Sequence, residues 1–156
     1  TMRLLLLLMR LTWQLQQLRA QHDKAHSRWP PHMTVFFPFP FASADVVAGV
    51  SKACKETASF SVRLASVSRN DGSKYITVNA DEDGAKSLTK LRDAIAKTLK
   101  MKDDGGKWAA HTTIGQCSQG EADGMVETMQ QEWQPIEFTV TELAILHKDE
   151  KKGIYK

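Results

Sequence analysis

Two short segments of this chain read alike and lie half a chain apart. Pro31-His32-Met33-Thr34-Val35-Phe36 and Ala110-His111-Thr112-Thr113-Ile114-Gly115 each place a threonine two residues after a histidine, followed by an apolar residue. The two histidines are separated by 79 positions in a chain of 156 residues. Each segment is followed by a helical pattern and then by a strand pattern. Half-chain spacing points to two related lobes. The length agrees: it fits one domain, or one domain built from two small lobes, and not two domains with full cores.

The apolar patterning fills in the elements between the motifs. Leu4 to Met9 reads as a buried strand, since the run is too short for the apolar part of a signal peptide and Arg10 closes it. Leu11, Leu15, Leu18 and His22 fall at helical spacing, so a helix is predicted from Leu11 to Asp23. Arg28-Trp29-Pro30-Pro31 breaks it. His32 to Phe37 is a short strand. Val46, Val47, Val50, Ala53 and Cys54 mark a helix that would bury the Cys54 thiol. Phe60, Val62 and Leu64 alternate with polar residues as in a strand. The turn Asn70-Asp71-Gly72 then leads into a returning strand from Tyr75 to Asn79. Leu88, Leu91, Ile95 and Leu99 mark a helix that stops at Asp103-Asp104-Gly105-Gly106. His111 to Gln116 is a strand, Glu121 to Trp133 a helix, and Phe138 to Leu146 a single strand. Gly153 to Lys156 begins one more.

The paired motif carries chemistry. On a strand, residues i and i+2 face the same way. His32 therefore shares a face with Thr34, and His111 with Thr113. Two such strands side by side put two imidazoles and two hydroxyls into one cleft. Two histidines near neutral pKa supply an acid and a base together, and threonine hydroxyls donate to phosphate oxygens. This set suits displacement at phosphorus without a metal. Tyr75, Trp108 and Phe37 are candidates to stack a base. Core packing competes for all three and is favoured for Phe37 and Phe39. Arg28 and Lys74 are candidates to attract the phosphate; Lys107 reads as a solvated charge. His22 reads as a core or capping residue. No HExxH pattern, thiolate pair or Gly-rich phosphate loop is present, so neither a zinc site nor ATP-dependent ligation is supported.

Composition narrows the partners. The formal net charge is +3, too modest for a protein that grips long nucleic acid through many phosphates. The charge is uneven, +6 over residues 1–80 and −3 over residues 81–156; a basic first half suits a small anionic ligand, but two solvated faces of different sign are the favoured reading. No apolar stretch approaches the roughly 18 residues of a membrane span. Two cysteines without CxxC spacing indicate no disulfide framework and a reducing compartment, cytoplasm or nucleus.

The quoted segments, PHMTVFFPF and HTTIGQ, resemble those of the 2H phosphoesterase superfamily, which includes 2′,5′-RNA ligase-like proteins and 2′,3′-cyclic nucleotide phosphodiesterases. HDKAHSRWPPH resembles the cytosolic branch of these enzymes. The resemblance runs from the first strand to Leu146. It implies an α+β fold: two pseudo-twofold-related lobes, each an antiparallel sheet flanked by helices, around a central groove, in one two-lobed domain over residues 1–156. It implies catalytic His32 and His111, phosphate-binding Thr34 and Thr113, no metal and no cofactor. The expected substrate is a small cyclic nucleotide, an RNA terminus or ADP-ribose 1″,2″-cyclic phosphate, opened to a 2′-phosphate by a monomer. Two alternatives stand beside this: a non-catalytic binder of RNA ends or nucleotide phosphates, and 2′,5′-ligation of RNA.

Overall fold

The computed structural model describes residues 2–7, 12–39, 43–102 and 104–147. Seven strands and four helices lie along these residues. They are β1 (Met2–Leu7), α1 (Thr12–His22), β2 (His32–Phe36), α2 (Ser43–Lys55), β3 (Phe60–Ser68), β4 (Tyr75–Ala80), α3 (Glu82–Thr98), β5 (His111–Gln116), α4 (Ala122–Glu132), β6 (Ile136–Val140) and β7 (Ala144–His147). The strands form two antiparallel sheets, β2-β1-β7 and β5-β4-β3-β6. The fold is thus α+β with two sheet lobes. β1–α1–β2 and β4–α3–β5 are matching units, each a strand, a helix and an edge strand that pairs back on the first. Leu8, Met9, Leu11 and the strand expected at Gly153 to Lys156 lie outside the described residues.

The helices follow their patterns. In α3, Leu88, Leu91 and Ile95 are buried on one stripe. Asp81 caps that helix, its carboxylate accepting from the Gly84 N–H at 3.0 Å. Gly72 takes a positive φ of 74° in the β3–β4 turn, a conformation open to glycine. Cys54 is half-buried rather than enclosed, and burial raises its thiol pKa.

One predicted strand is two. Phe138 to Leu146 splits at Thr141-Glu142-Leu143: β6 pairs with β3 in one sheet, and β7 pairs with β1 in the other. The alternation Phe138, Val140 meets a glutamate at position 142, where an apolar side chain would be needed to continue. The chain changes sheets there.

The two lobes meet along β2 and β5, the facing edge strands, which pack against each other. The sheets do not merge, because side chains occupy the outer edge of β2. The Trp108 indole N–H donates to the Thr34 carbonyl at 3.1 Å, and Arg92 Nε donates to the Val35 carbonyl at 3.1 Å. Arg92 is itself held by Asp104 at 2.7 Å. From the other lobe, α1 packs on β5. The approach is close: a Cβ on Gly115 would sit 2.7 Å from the His22 Cβ and 3.1 Å from its carbonyl oxygen. Gly115→Ala should therefore lower stability by about 1–2 kcal/mol through overpacking. Chemical denaturation would show this as a lower midpoint at unchanged slope.

Candidate active site

Both motif strands present their histidine in the same way. His32 Nδ1 lies 2.9 Å from the Pro30 carbonyl oxygen, and His111 Nδ1 lies 2.8 Å from the Ala109 carbonyl oxygen. A carbonyl only accepts, so each Nδ1 carries the hydrogen and each Nε2 is the acceptor nitrogen of its ring. The partner is two residues upstream in both cases. Met33 and Thr112 turn into the core, while His32, Thr34 and Thr113 are half-buried and His111 is exposed. This is the alternation that places each threonine with its histidine.

A bulge follows each motif at the same place. β1 pairs Leu5 with Thr34 and Leu4 with Phe36, so Val35 is an extra residue. β4 pairs Thr77 with Thr113 and Ile76 with Gly115, so Ile114 is an extra residue. An inserted residue reverses the facing of everything after it. Phe36 and Gly115 are consequently buried next to Val35 and Ile114. The fifth residue after each histidine, Phe37 or Gln116, is turned back toward the motif's open face.

A cavity of about 220 Å³ opens at this seam, lined among others by His32, Thr113, Tyr75, Gln116, Arg3 and Trp29. The Arg3 guanidinium carbon lies 3.7 Å from the Phe37 ring centroid and 5.4 Å from that of Trp29. The Trp29 and His32 ring centroids are 5.3 Å apart. A slightly larger cavity, about 250 Å³, lies between α2 and the β6–β7 link, and no histidine lines it. The site is therefore placed by its chemistry rather than by cavity size.

Burial pushes the His32 imidazole below its ordinary value. Its hydrogen bond to Pro30 opposes this, the charges of Arg19 and Arg3 lower it further, and Asp23 opposes them. The folded state thus favours neutral His32. The unfolded chain takes up the proton first as pH falls, near the ordinary value of about 6.5. The stability contributed by neutral His32 is fully present above that value and is lost as pH drops through it toward the lower folded-state value. The thermal stability of the wild type should therefore fall as the pH drops below about 6.5, and His32→Gln should flatten that slope.

The other candidates divide. Tyr75 lines the cavity and is 45% exposed, with Lys74 Nζ 5.3 Å from its ring centroid. Phe37 is exposed at 46%, not packed in the core as expected, because the bulge turns it outward; Phe39 is buried as expected. Trp108 is partly buried against the core, and its indole braces β2. Arg28 is exposed on the α1–β2 loop and does not line the cavity, nor do Lys74, Thr34 and His111. His22 is half-buried against Gly115. Among the described residues, no three His, Cys, Asp or Glu side chains gather as a metal-binding group. Arg3, Arg19, Asp23 and Gln116 were not anticipated. For Arg3 there was a signal, an arginine inside a strand of leucines.

The chain also compares with known proteins. Its overall structure is similar to that of Escherichia coli LigT complexed with 3′-AMP, with a TM-score of 0.65 at 14% identity over 99% of this chain and 91% of that one. A phosphoesterase structure gives 0.61 at 15% identity over 100% and 94%. Kluyveromyces marxianus Usb1 gives 0.57 at 17% identity over 92% of each chain. No curated relative matches the sequence. The profile of the 2′-5′ RNA ligase superfamily matches residues 10–152. With both histidine motifs on facing strands inside that span, the chain belongs to the 2′-5′ RNA ligase superfamily of 2H phosphoesterases.

Proposed function

We propose that the protein is a metal-independent cyclic phosphodiesterase that opens a 2′,3′-cyclic phosphate, on a small nucleotide or an RNA end, to a 2′-phosphate. The observation that carries this reading is the matched presentation of His32 and His111. Each is pinned through Nδ1 to a carbonyl two residues upstream, on facing strands that each add a threonine. Neutral His32, favoured by burial, takes a proton from the attacking water through Nε2. His111 gives a proton to the ribose oxygen that leaves phosphorus. The Thr34 and Thr113 hydroxyls donate to the non-bridging oxygens, where negative charge grows. Tyr75 and Phe37, both exposed beside this region, offer faces for the base. ADP-ribose 1″,2″-cyclic phosphate presents the same strained ring and is a second candidate substrate.

The substrate approaches as a monomeric protein's small-molecule ligand in the cytoplasm or nucleus. No helix among the described residues is long and apolar enough to cross a membrane. The test is turnover of 2′,3′-cyclic nucleotides in EDTA, with the product phosphate identified. A 2′-phosphate formed at undiminished rate is expected. Tight binding without turnover would favour the non-catalytic binder, and activity lost in EDTA but restored by a divalent metal would end the metal-free mechanism.

A further inference from the structure

A polar network that lines the same cavity as His32 reaches across the seam. Asp23 follows α1 and is 8% exposed; Arg19, one turn earlier, is 2% exposed. Arg19 Nε donates to Asp23 Oδ2 at 2.8 Å. Asp23 Oδ1 accepts from the Ala25 N–H at 2.9 Å and from Gln116 Nε2 at 2.9 Å. Gln116 returns the contact, its Oε1 accepting from the Lys24 N–H at 2.8 Å. Arg19 Nη2 donates to the Trp29 carbonyl at 2.7 Å. The next residue, Pro30, holds the His32 ring through its own carbonyl.

We propose that Arg19, Asp23 and Gln116 form a positioning clamp that sets His32 against the Thr113 strand. This rests on the phosphodiesterase reading of the site. Three observations support it. The network joins the α1–β2 loop, which orients His32, to the last residue of β5, which carries His111 and Thr113. Gln116 reaches the loop because the Ile114 bulge turns it to that face. Both hydrogen-bonding ends of its amide are engaged, each by a partner of the correct polarity. A buried ion pair returns little net stability after desolvation, so its main effect is to fix geometry. The Asp23 carboxyl fits this picture: burial alone would raise it, yet the hydrogen bonds from Gln116, Ala25 and Arg19 and the Arg19 charge hold it below its usual value.

Arg19, Asp23 and Gln116 are positioning residues, since the first two spend their polar atoms on the protein itself. The test is Gln116→Met, which keeps side-chain length but removes both hydrogen bonds. Its kcat for a 2′,3′-cyclic nucleotide should fall about tenfold or more, because small misplacements of a reacting group are costly. KM should change little. In NMR spectra, the His32 ring signals should shift while those of His111 stay in place. Gln116→Asn, an amide one methylene shorter, should behave the same way and serves if the methionine variant does not fold. Wild-type kcat with unmoved His32 signals would overturn the proposal. So would a loss of activity that only follows a loss of folded protein. If the wild type turns over no cyclic phosphate, the phosphodiesterase reading fails, and the His32 signals alone then decide the clamp.

Discussion

His32→Ala and His111→Ala should each lower kcat on a 2′,3′-cyclic nucleotide by about a hundredfold or more, the usual contribution of positioned proton transfer. The two rings are held alike, through Nδ1 to the Pro30 and Ala109 carbonyls, so in the proposed mechanism each offers Nε2 to the reaction. One must accept a proton while the other donates. Removing either stops the concerted transfer, and removing both costs much less than the product of the two single losses. The fold should survive, since His111 is exposed and His32 half-buried. Steady-state kinetics on folded variants is the measurement. Near-wild-type activity in either single variant would remove the acid–base pair from the mechanism.

The second large effect separates two adjacent threonines. Thr113 lines the cavity with His32, whereas Thr112 is fully buried and its hydroxyl has no hydrogen-bond partner among the described residues. Thr113→Val keeps shape but removes a donor to a charged oxygen. It should lower kcat/KM roughly tenfold to a hundredfold. Thr113→Ser should keep most of the activity. Thr112→Val deletes a desolvated hydroxyl that bonds nothing, so it should leave kcat/KM alone and raise stability by up to about 1 kcal/mol. Equal losses of activity at the two positions would mean that β5 does not present His111 and Thr113 on one face.

Much of this was legible in the residues. Period-2 and helical spacing placed the strands and helices, and the repeated His-x-Thr pointed to two lobes meeting at one cleft. What escaped has one main physical cause. Strand periodicity assigns Gln116 to the face of Thr112 and Ile114, and Phe37 to that of Met33 and Val35, away from the histidines in both cases. The bulges at Val35 and Ile114 are register events, set by the pairing with β1 and β4, and local sequence does not show them. The split between β6 and β7 was hidden by a run of β-favouring residues on both sides of Glu142. The Arg19–Asp23–Gln116 network escaped because its partners, 93 positions apart, meet only after both lobes have folded.

The central claim is that the two strands make one phosphate site, and ligand titration tests it most directly. A nucleoside 2′-monophosphate, the expected product, is titrated into the protein in EDTA while the ring signals of His32 and His111 are followed by NMR. The expected result is that both rings respond along one binding curve with a single Kd, and that Thr113→Val weakens that Kd while Thr112→Val does not. Movement of one ring only, or two rings with different Kd values, would contradict a shared site.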